Sequence, residues 1–279
     1  MNAPMNVLIG CEESGALRDA FHAVGCNSWS CDTKSGRGQT LGNWYPDHYP
    51  PGHRLHDMRQ HHQVDILELF SGRVAHCMAL EGQGLRWDLM IAHPPCTFFS
   101  VSGAWAFKDG PYHQKVKPGT KTGANRRQAQ REALEFVLAL WNAPADRICI
   151  ENPVGMLSTL WRKPDQIIQP YQFGDNASKA TCLWLKNLPQ LRPTSFFPPR
   201  WVCCGLEIPE SVGKYGCPNC NGEDGPALPR WGNQTNSGQN NLSPSDDRAA
   251  ERAVTYPGIA RAMADQWGAL NPAAVKAAS

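Results

Sequence analysis

Two short polar motifs stand directly behind apolar runs, and both carry residues able to do covalent chemistry. The first is His93-Pro94-Pro95-Cys96, which closes WDLMIAHPPC. Two consecutive prolines stiffen the turn, so a nucleophile placed there is fixed at low entropic cost. A cysteine thiolate is such a nucleophile. The same turn would also suit an ordinary buried thiol, since unpaired cysteines are among the most buried residues. The second motif is Glu151-Asn152-Pro153, at the end of RICIENP. A carboxyl group there can hydrogen-bond a base edge and supply a proton. Read alone, it is equally a turn acid or a helix N-cap. In an open α/β sheet, ligands bind beyond the carboxyl ends of the strands. Both motifs therefore belong to one rim.

A cofactor half precedes them. The apolar run at 5–10 leads into GCEESG, which holds Gly10, Cys11, Glu12 and Gly15. Asp32 follows Gly10 by 22 residues, the spacing of an acid that holds ribose hydroxyls. Only two glycines are present where a dinucleotide fingerprint has three, so a nucleoside-type cofactor without phosphates fits better.

A second constellation is Cys203, Cys204, Cys217 and Cys220. Cys217-Pro-Asn-Cys220 is a Cys-x-x-Cys knuckle, and twelve residues separate it from Cys203-Cys204. Four thiolates can close a tetrahedral, structural zinc site in a segment too short to fold alone. A redox pair or simple thiols are the other readings. A three-cysteine, one-histidine site is hard to build, because no histidine follows His113.

The elements that must position these residues are those of an α/β chain. A strand over 5–10, a helix over 16–25 ending at Gly25, and a strand over 27–32 open the pattern. Residues 33–56, rich in Gly, Pro, His and Tyr, read as a loop, and 64–70 as a short helix or strand. Residues 87–96 (WDLMIAHPPC) read as an apolar strand running into the rigid Pro-Pro turn. Residues 108–127 read as a mobile loop, 128–142 as an amphipathic helix, 147–153 and 180–189 as strands, and 257–270 as a closing helix. The expected fold is a doubly wound, Rossmann-like sheet with a small Cys-rich insert over 191–253 and a frayed tail over 271–279. The chain has 279 residues, 41% of them hydrophobic, which is enough for a real core. Its net charge of +2 means that any nucleic-acid contact must rest on local charge. No leader and no membrane span are expected, and the eleven cysteines suit a reducing, cytoplasmic setting.

In this order the motifs resemble those of the cytosine-5 DNA methyltransferases, and more closely a divergent, phage-type group of them. Val7 to Gly15 resembles the first cofactor motif, Cys31-Asp32 the second, and Asp65 the acid of the third, with Asp57 its competitor. Asp88 to Ser100 resembles the catalytic strand with its Pro-Pro-Cys, Glu151-Asn152 matches the Glu-Asn pair, and 257–268 resembles the last helix. The resemblance implies a catalytic domain over 1–190 and 254–270. It implies S-adenosylmethionine as cofactor, held by Gly10, Cys11, Glu12, Gly15, Asp32, Asp65 and Pro94. It implies attack of Cys96 on carbon 6 of cytosine, with Pro95, Glu151 and Asn152 completing the catalytic set. Three departures stand out. Thr97 replaces a glutamine, Pro153 replaces a valine, and the Gln-x-Arg-x-Arg motif is absent, with Lys179 in the comparable place.

The partner implied is DNA, inside a bacterial or phage-infected cell. Residues 108–131 carry seven Lys or Arg against one acid, Asp109. Lys115, Lys117, Lys121, Arg126 and Arg127 are the candidates for phosphate contact; a solvated basic loop is the plainer reading. Trp201, Tyr215 and Trp231 could stack on bases or pack over the cysteine knuckle. A small recognition segment also suits a cytosine mononucleotide or RNA as substrate; an inactive relative that binds nucleic acid or protein through its Cys-rich segment, and transfer of a related group in place of methyl, are the further alternatives. Protein partners are not indicated.

Overall fold

The computed structural model describes residues 3–34, 61–70, 87–113, 115–213, 217, 220, 225–242 and 248–270. The remainder of the loop expected over 33–56, with Asp57, Tyr215 and the tail, lies outside them.

Seven strands form one sheet. In chain order they are β1 (Asn6–Gly10), β2 (Asn27–Asp32), β3 (His61–Gln63), β4 (Trp87–Ala92), β5 (Ala145–Pro153), β6 (Gln166–Ile168) and β7 (Thr181–Lys186). Their spatial order is β3-β2-β1-β4-β5-β7-β6. The pairs β1·β2, β1·β4, β2·β3 and β4·β5 are parallel, and β5·β7 is antiparallel. This is the doubly wound, Rossmann-like sheet expected from the sequence. Val7, Leu8, Ile9, Leu89, Met90, Ile91, Ile148 and Ile150 have no exposed surface, as central parallel strands covered on both faces require.

The first helix, α1 (Ala16–Ala23), buries Leu17 and Phe21. A short helix, α2 (Ile66–Phe70), follows β3 and buries Ile66. The three-residue strand β3 has no counterpart in the sequence pattern: it is too short and polar to show any periodicity. The helix α3 (Gly123–Trp141) starts five residues earlier than its apolar spacing suggests. The reason is Arg126, whose charge hides an inward position. It is buried, donates to the Thr97 carbonyl oxygen at 2.9 Å, and sits over the Phe98 and Phe107 rings. The loop expected to reach residue 127 therefore ends at Thr122. Before it, a 3-10 helix covers Val101–Phe107.

Of the chain, Met1–Ile167, Thr181–Gln190 and Met263–Ser279 form one unit; Ile168–Ala180 and Leu191–Ala262 form a second. The second holds a three-stranded antiparallel sheet in which β8 (Arg200–Cys203) lies between β9 (Leu206–Ile208) and β10 (Leu228–Arg230). The short helices α4 (Leu157–Leu160), α5 (Glu210–Gly213) and α6 (Arg248–Ala253) and the closing helix α7 (Pro257–Trp267) complete the description.

Candidate active site at the strand tips

Strand register assembles the site. Gly10 pairs with Cys31 and with Ala92, and Ala92 pairs with Ile150. The residues one step further along, Cys11, Asp32, His93 and Glu151, therefore stand at the carboxyl ends of four neighbouring strands. Two backbone bonds carry this alignment past the strands: His93 N–H donates to Gly10 O at 2.9 Å, and Glu12 N–H donates to Cys31 O at 3.1 Å.

The two strand-tip motifs are tied together side by side. His93 Nδ1 lies 3.1 Å from Glu151 Oε2, with both side chains largely buried. One residue on, Asn152 Nδ2 donates to the Pro94 carbonyl oxygen at 2.8 Å. Asn152 is 1% exposed, so this bond is shielded from water and specifies the turn. Past the prolines, Cys96 is exposed, and its carbonyl oxygen accepts from Phe99 N–H and Ser100 N–H. The turn is braced from two further sides. Gln130 of α3 donates to Phe98 O, and Met156 N–H donates to Phe99 O. Gly155 allows that approach, since a Cβ there would collide with the Phe99 carbonyl oxygen.

Burial separates Cys96 from the other thiols of this unit. Among the described residues, Cys26, Cys31, Cys149 and Cys182 are buried, Cys11 is intermediate, and Cys96 is exposed. Burial pushes the Cys11 and Cys149 thiols well above the usual range and Cys31 up to about 12. Cys182 rises to about 11, through burial first and the Glu151 charge second. Among the described residues of this unit, Cys96 is the one exposed thiol.

The cofactor half has its own geometry. Cys11 takes a positive φ of 57° and Gly15 one of 75°, turning the chain sharply between β1 and α1. Glu12 folds back beneath the turn: Oε1 accepts from Leu17 N–H at 2.9 Å and from Ser14 Oγ at 3.0 Å. Asp32 accepts from Lys34 N–H at the end of β2. Asp65 is exposed and accepts from Leu67 N–H, capping α2.

At these strand tips, three buried polar atoms have no hydrogen-bond partner among the described residues: Glu12 Oε2, His93 Nε2 and Asn152 Oδ1. They come from three adjacent strand ends. Buried groups of this kind are uncommon in native folds, and these three face the same row of strand ends. A carboxylate beside the glycine turn repels a pyrophosphate and suits an ammonium group, which fits S-adenosylmethionine better than a dinucleotide.

The basic candidates divide. Lys115, Lys117 and Lys121 are exposed. Arg126 is spent inside the fold, as described above. Arg127 donates to Phe107 O and pairs with Asp109 at 3.0 Å. Lys179, in the second unit, donates to Arg252 O at 2.8 Å. Trp231 stacks on Tyr171 with centroids 4.1 Å apart, and Trp201 packs against the cysteine cluster. The sequence reading missed the part His93 plays. Its signal was position, since it is the first residue past β4, level with Glu151 on β5.

In the second unit Cys203, Cys204, Cys217 and Cys220 come together with all four Sγ atoms within 4.8 Å of one another.

No family model matches the chain, and no curated protein matches its sequence. Among solved structures, two to which the chain is similar are the following. One is an E. coli prophage protein described as a DNA modification methyltransferase, with a TM-score of 0.40 and 13% identity over 77% of this chain. The other is the Entamoeba histolytica methyltransferase EhMeth, with a TM-score of 0.37 and 11% identity over 76% of this chain. The chain spans 56% and 65% of their lengths. Among the described residues, no helix is long and apolar enough to cross a membrane.

Proposed function

We propose that the protein transfers a methyl group from S-adenosylmethionine to carbon 5 of cytosine in DNA, through a covalent bond between Cys96 and carbon 6. The observation that carries this reading is the pairing of the two strand-tip motifs. His93-Pro94 and Glu151-Asn152 are hydrogen-bonded residue by residue, with an exposed cysteine two positions further on.

The chemistry follows from what cytosine lacks. Carbon 5 is a poor nucleophile while the ring stays aromatic. The Cys96 thiolate adds to carbon 6, breaks the aromatic system and moves electron density toward carbon 5 and N3. Glu151 holds a proton against N3, which stabilises the charge developing there. Asn152 keeps the Pro-Pro turn at a fixed distance from β5. When bound, S-adenosylmethionine supplies an electrophilic methyl group. Gly10, Cys11, Glu12, Gly15, Asp32 and Asp65 are the residues to hold it, with Glu12 the acceptor for its ammonium. A base from solvent then takes the carbon 5 proton, the carbon 5–carbon 6 double bond re-forms, the Cys96–carbon 6 bond breaks with its electron pair returning to sulfur, and the N3 proton goes back to Glu151. In duplex DNA the target base must leave the stack to reach this rim. The exposed Lys115, Lys117 and Lys121 supply phosphate contacts, with Lys121 Nζ 5.9 Å from the centroid of the Phe98 ring.

The test is mass spectrometry of nucleosides from DNA incubated with protein and cofactor. The proposal expects 5-methylcytosine from the wild type and none from Cys96→Ala. Unmodified cytosine with the wild type, across DNA of varied sequence, would count against it.

A further inference from the structure

We propose that Cys203, Cys204, Cys217 and Cys220 form a four-thiolate zinc site that staples the second unit and, through the Cys204–Gly205 turn, steadies the amide-rich loop at 233–241. The sulfur geometry carries the assignment. Cys203 Sγ lies 3.6 Å from Cys220 Sγ, and Cys204 Sγ lies 3.5 Å from Cys217 Sγ. A disulfide needs its sulfurs about 2.05 Å apart, so neither pair is bonded. Four sulfurs about 2.3 Å from a zinc ion sit about 3.8 Å from one another at the corners of a tetrahedron. The observed spacings, all within 4.8 Å, match that figure.

The backbone is shaped for the same end. Cys203 ends β8, Cys204 takes a positive φ of 44°, and Gly205 one of 77°, so two adjacent cysteines turn their sulfurs into one cluster. That answers the difficulty of an adjacent Cys pair, which an extended strand would point in opposite directions. Among the described residues, Cys203 and Cys217 are buried together with Ile208 and Ala227, so the sulfurs converge in a partly dry place.

The turn does not end at the metal. Asn236 Nδ2 donates to Gly205 O at 2.8 Å, and Arg200, next to Trp201 on β8, donates to Gln234 O and bonds Asn236 Oδ1. Arg230 Nε donates to Asn236 O at 3.2 Å. The loop at 233–241 is thus hung from the same turn that presents Cys203 and Cys204. Loss of the ion frees the turn and, with it, the loop. This inference is independent of the proposed methyl transfer.

Protein purified under reducing conditions, without affinity tags that carry metal, is assayed for metal content and alkylated without reductant. The expected results are about one zinc per chain, four thiols alkylated only after chelation, and cobalt uptake with a thiolate-to-metal charge-transfer band. Hydrogen exchange should then accelerate in 200–208 and 228–241 on chelation, while β1, β4 and β5 keep their protection. Cys217→Ser and Cys220→Ser should each lower cobalt affinity by tenfold or more. Absence of zinc together with failure to take up cobalt, or discovery of Cys203–Cys220 and Cys204–Cys217 disulfides in fresh protein, would overturn the site. Unchanged exchange in 228–241 on chelation would overturn its link to the loop.

Discussion

Asn152 Nδ2 reaches the Pro94 carbonyl oxygen at 2.8 Å, so β5, which carries Glu151, holds the turn that leads to Cys96. Asn152→Ala removes the donor and leaves the Pro94 oxygen unmatched in a dry place. Breaking a buried bond of this kind costs about 1–3 kcal/mol, enough to lower the melting temperature by several degrees. Displacement of the turn by about 1 Å should reduce kcat roughly 100-fold, with KM for cofactor little changed. Thermal unfolding and steady-state rates check both. Wild-type rates from the alanine variant would mean that the turn holds itself.

His93 Nδ1 lies 3.1 Å from Glu151 Oε2, so in the proposed reaction His93 is a positioning residue for the Glu151 carboxyl group. His93→Ala should lower kcat while leaving S-adenosylmethionine affinity intact. His93→Asn, whose amide can take the place of Nδ1–H, should recover much of the activity. A merely space-filling role predicts instead that His93→Phe rescues and His93→Asn does not.

Salt dependence separates the exposed lysines from the buried arginine. Replacing Lys115, Lys117 and Lys121 by Gln should flatten the plot of log Kd against log salt by about 0.9 for each phosphate no longer neutralised, with no change in melting temperature. Arg126→Gln should do the reverse. Its guanidinium is buried against Phe98, Phe107 and Thr97 O, so the variant loses stability first. Equal salt slopes for the triple-lysine variant and the wild type would remove this surface from DNA binding.

Cys182, opposite Asn152 in the β5·β7 register, gives a prediction on the alkaline side. Its thiol is raised from 9.0 to about 11 by burial and by Glu151. A raised thiol contributes stability that is complete below the unfolded value and is lost as pH rises through the folded one. Melting temperature should therefore fall between about pH 9 and 11 partly through this group, and Cys182→Ala should fall less steeply. Parallel curves for the two proteins would contradict the assignment.

What was readable in the sequence is what repeats or is rigid. β1, β4 and β5 announce themselves because strands buried on both faces are apolar without interruption, and the Pro-Pro turn is stiff whatever surrounds it. The start of α3 was hidden because Arg126 satisfies its charge through a carbonyl and two rings, an arrangement that no periodicity encodes. β3 was hidden because three polar residues at a sheet edge have no pattern of their own. The His93–Glu151 and Asn152–Pro94 bonds depend on which strands become neighbours, a fact of the folded sheet. The four cysteines could be named from spacing, yet their convergence required the positive φ of Cys204.

The account rests on a bond between Cys96 and carbon 6 of cytosine, and DNA containing 5-fluorocytosine tests it directly. Fluorine at carbon 5 cannot leave as a proton does, so the sequence stops before the Cys96 bond can break. Incubation with S-adenosylmethionine should give a denaturant-stable protein–DNA adduct whose peptide map places the link on Cys96. Cys96→Ala should give none, and Glu151→Gln should form it much more slowly. Product formation with no adduct, or an adduct on another residue, would contradict the account.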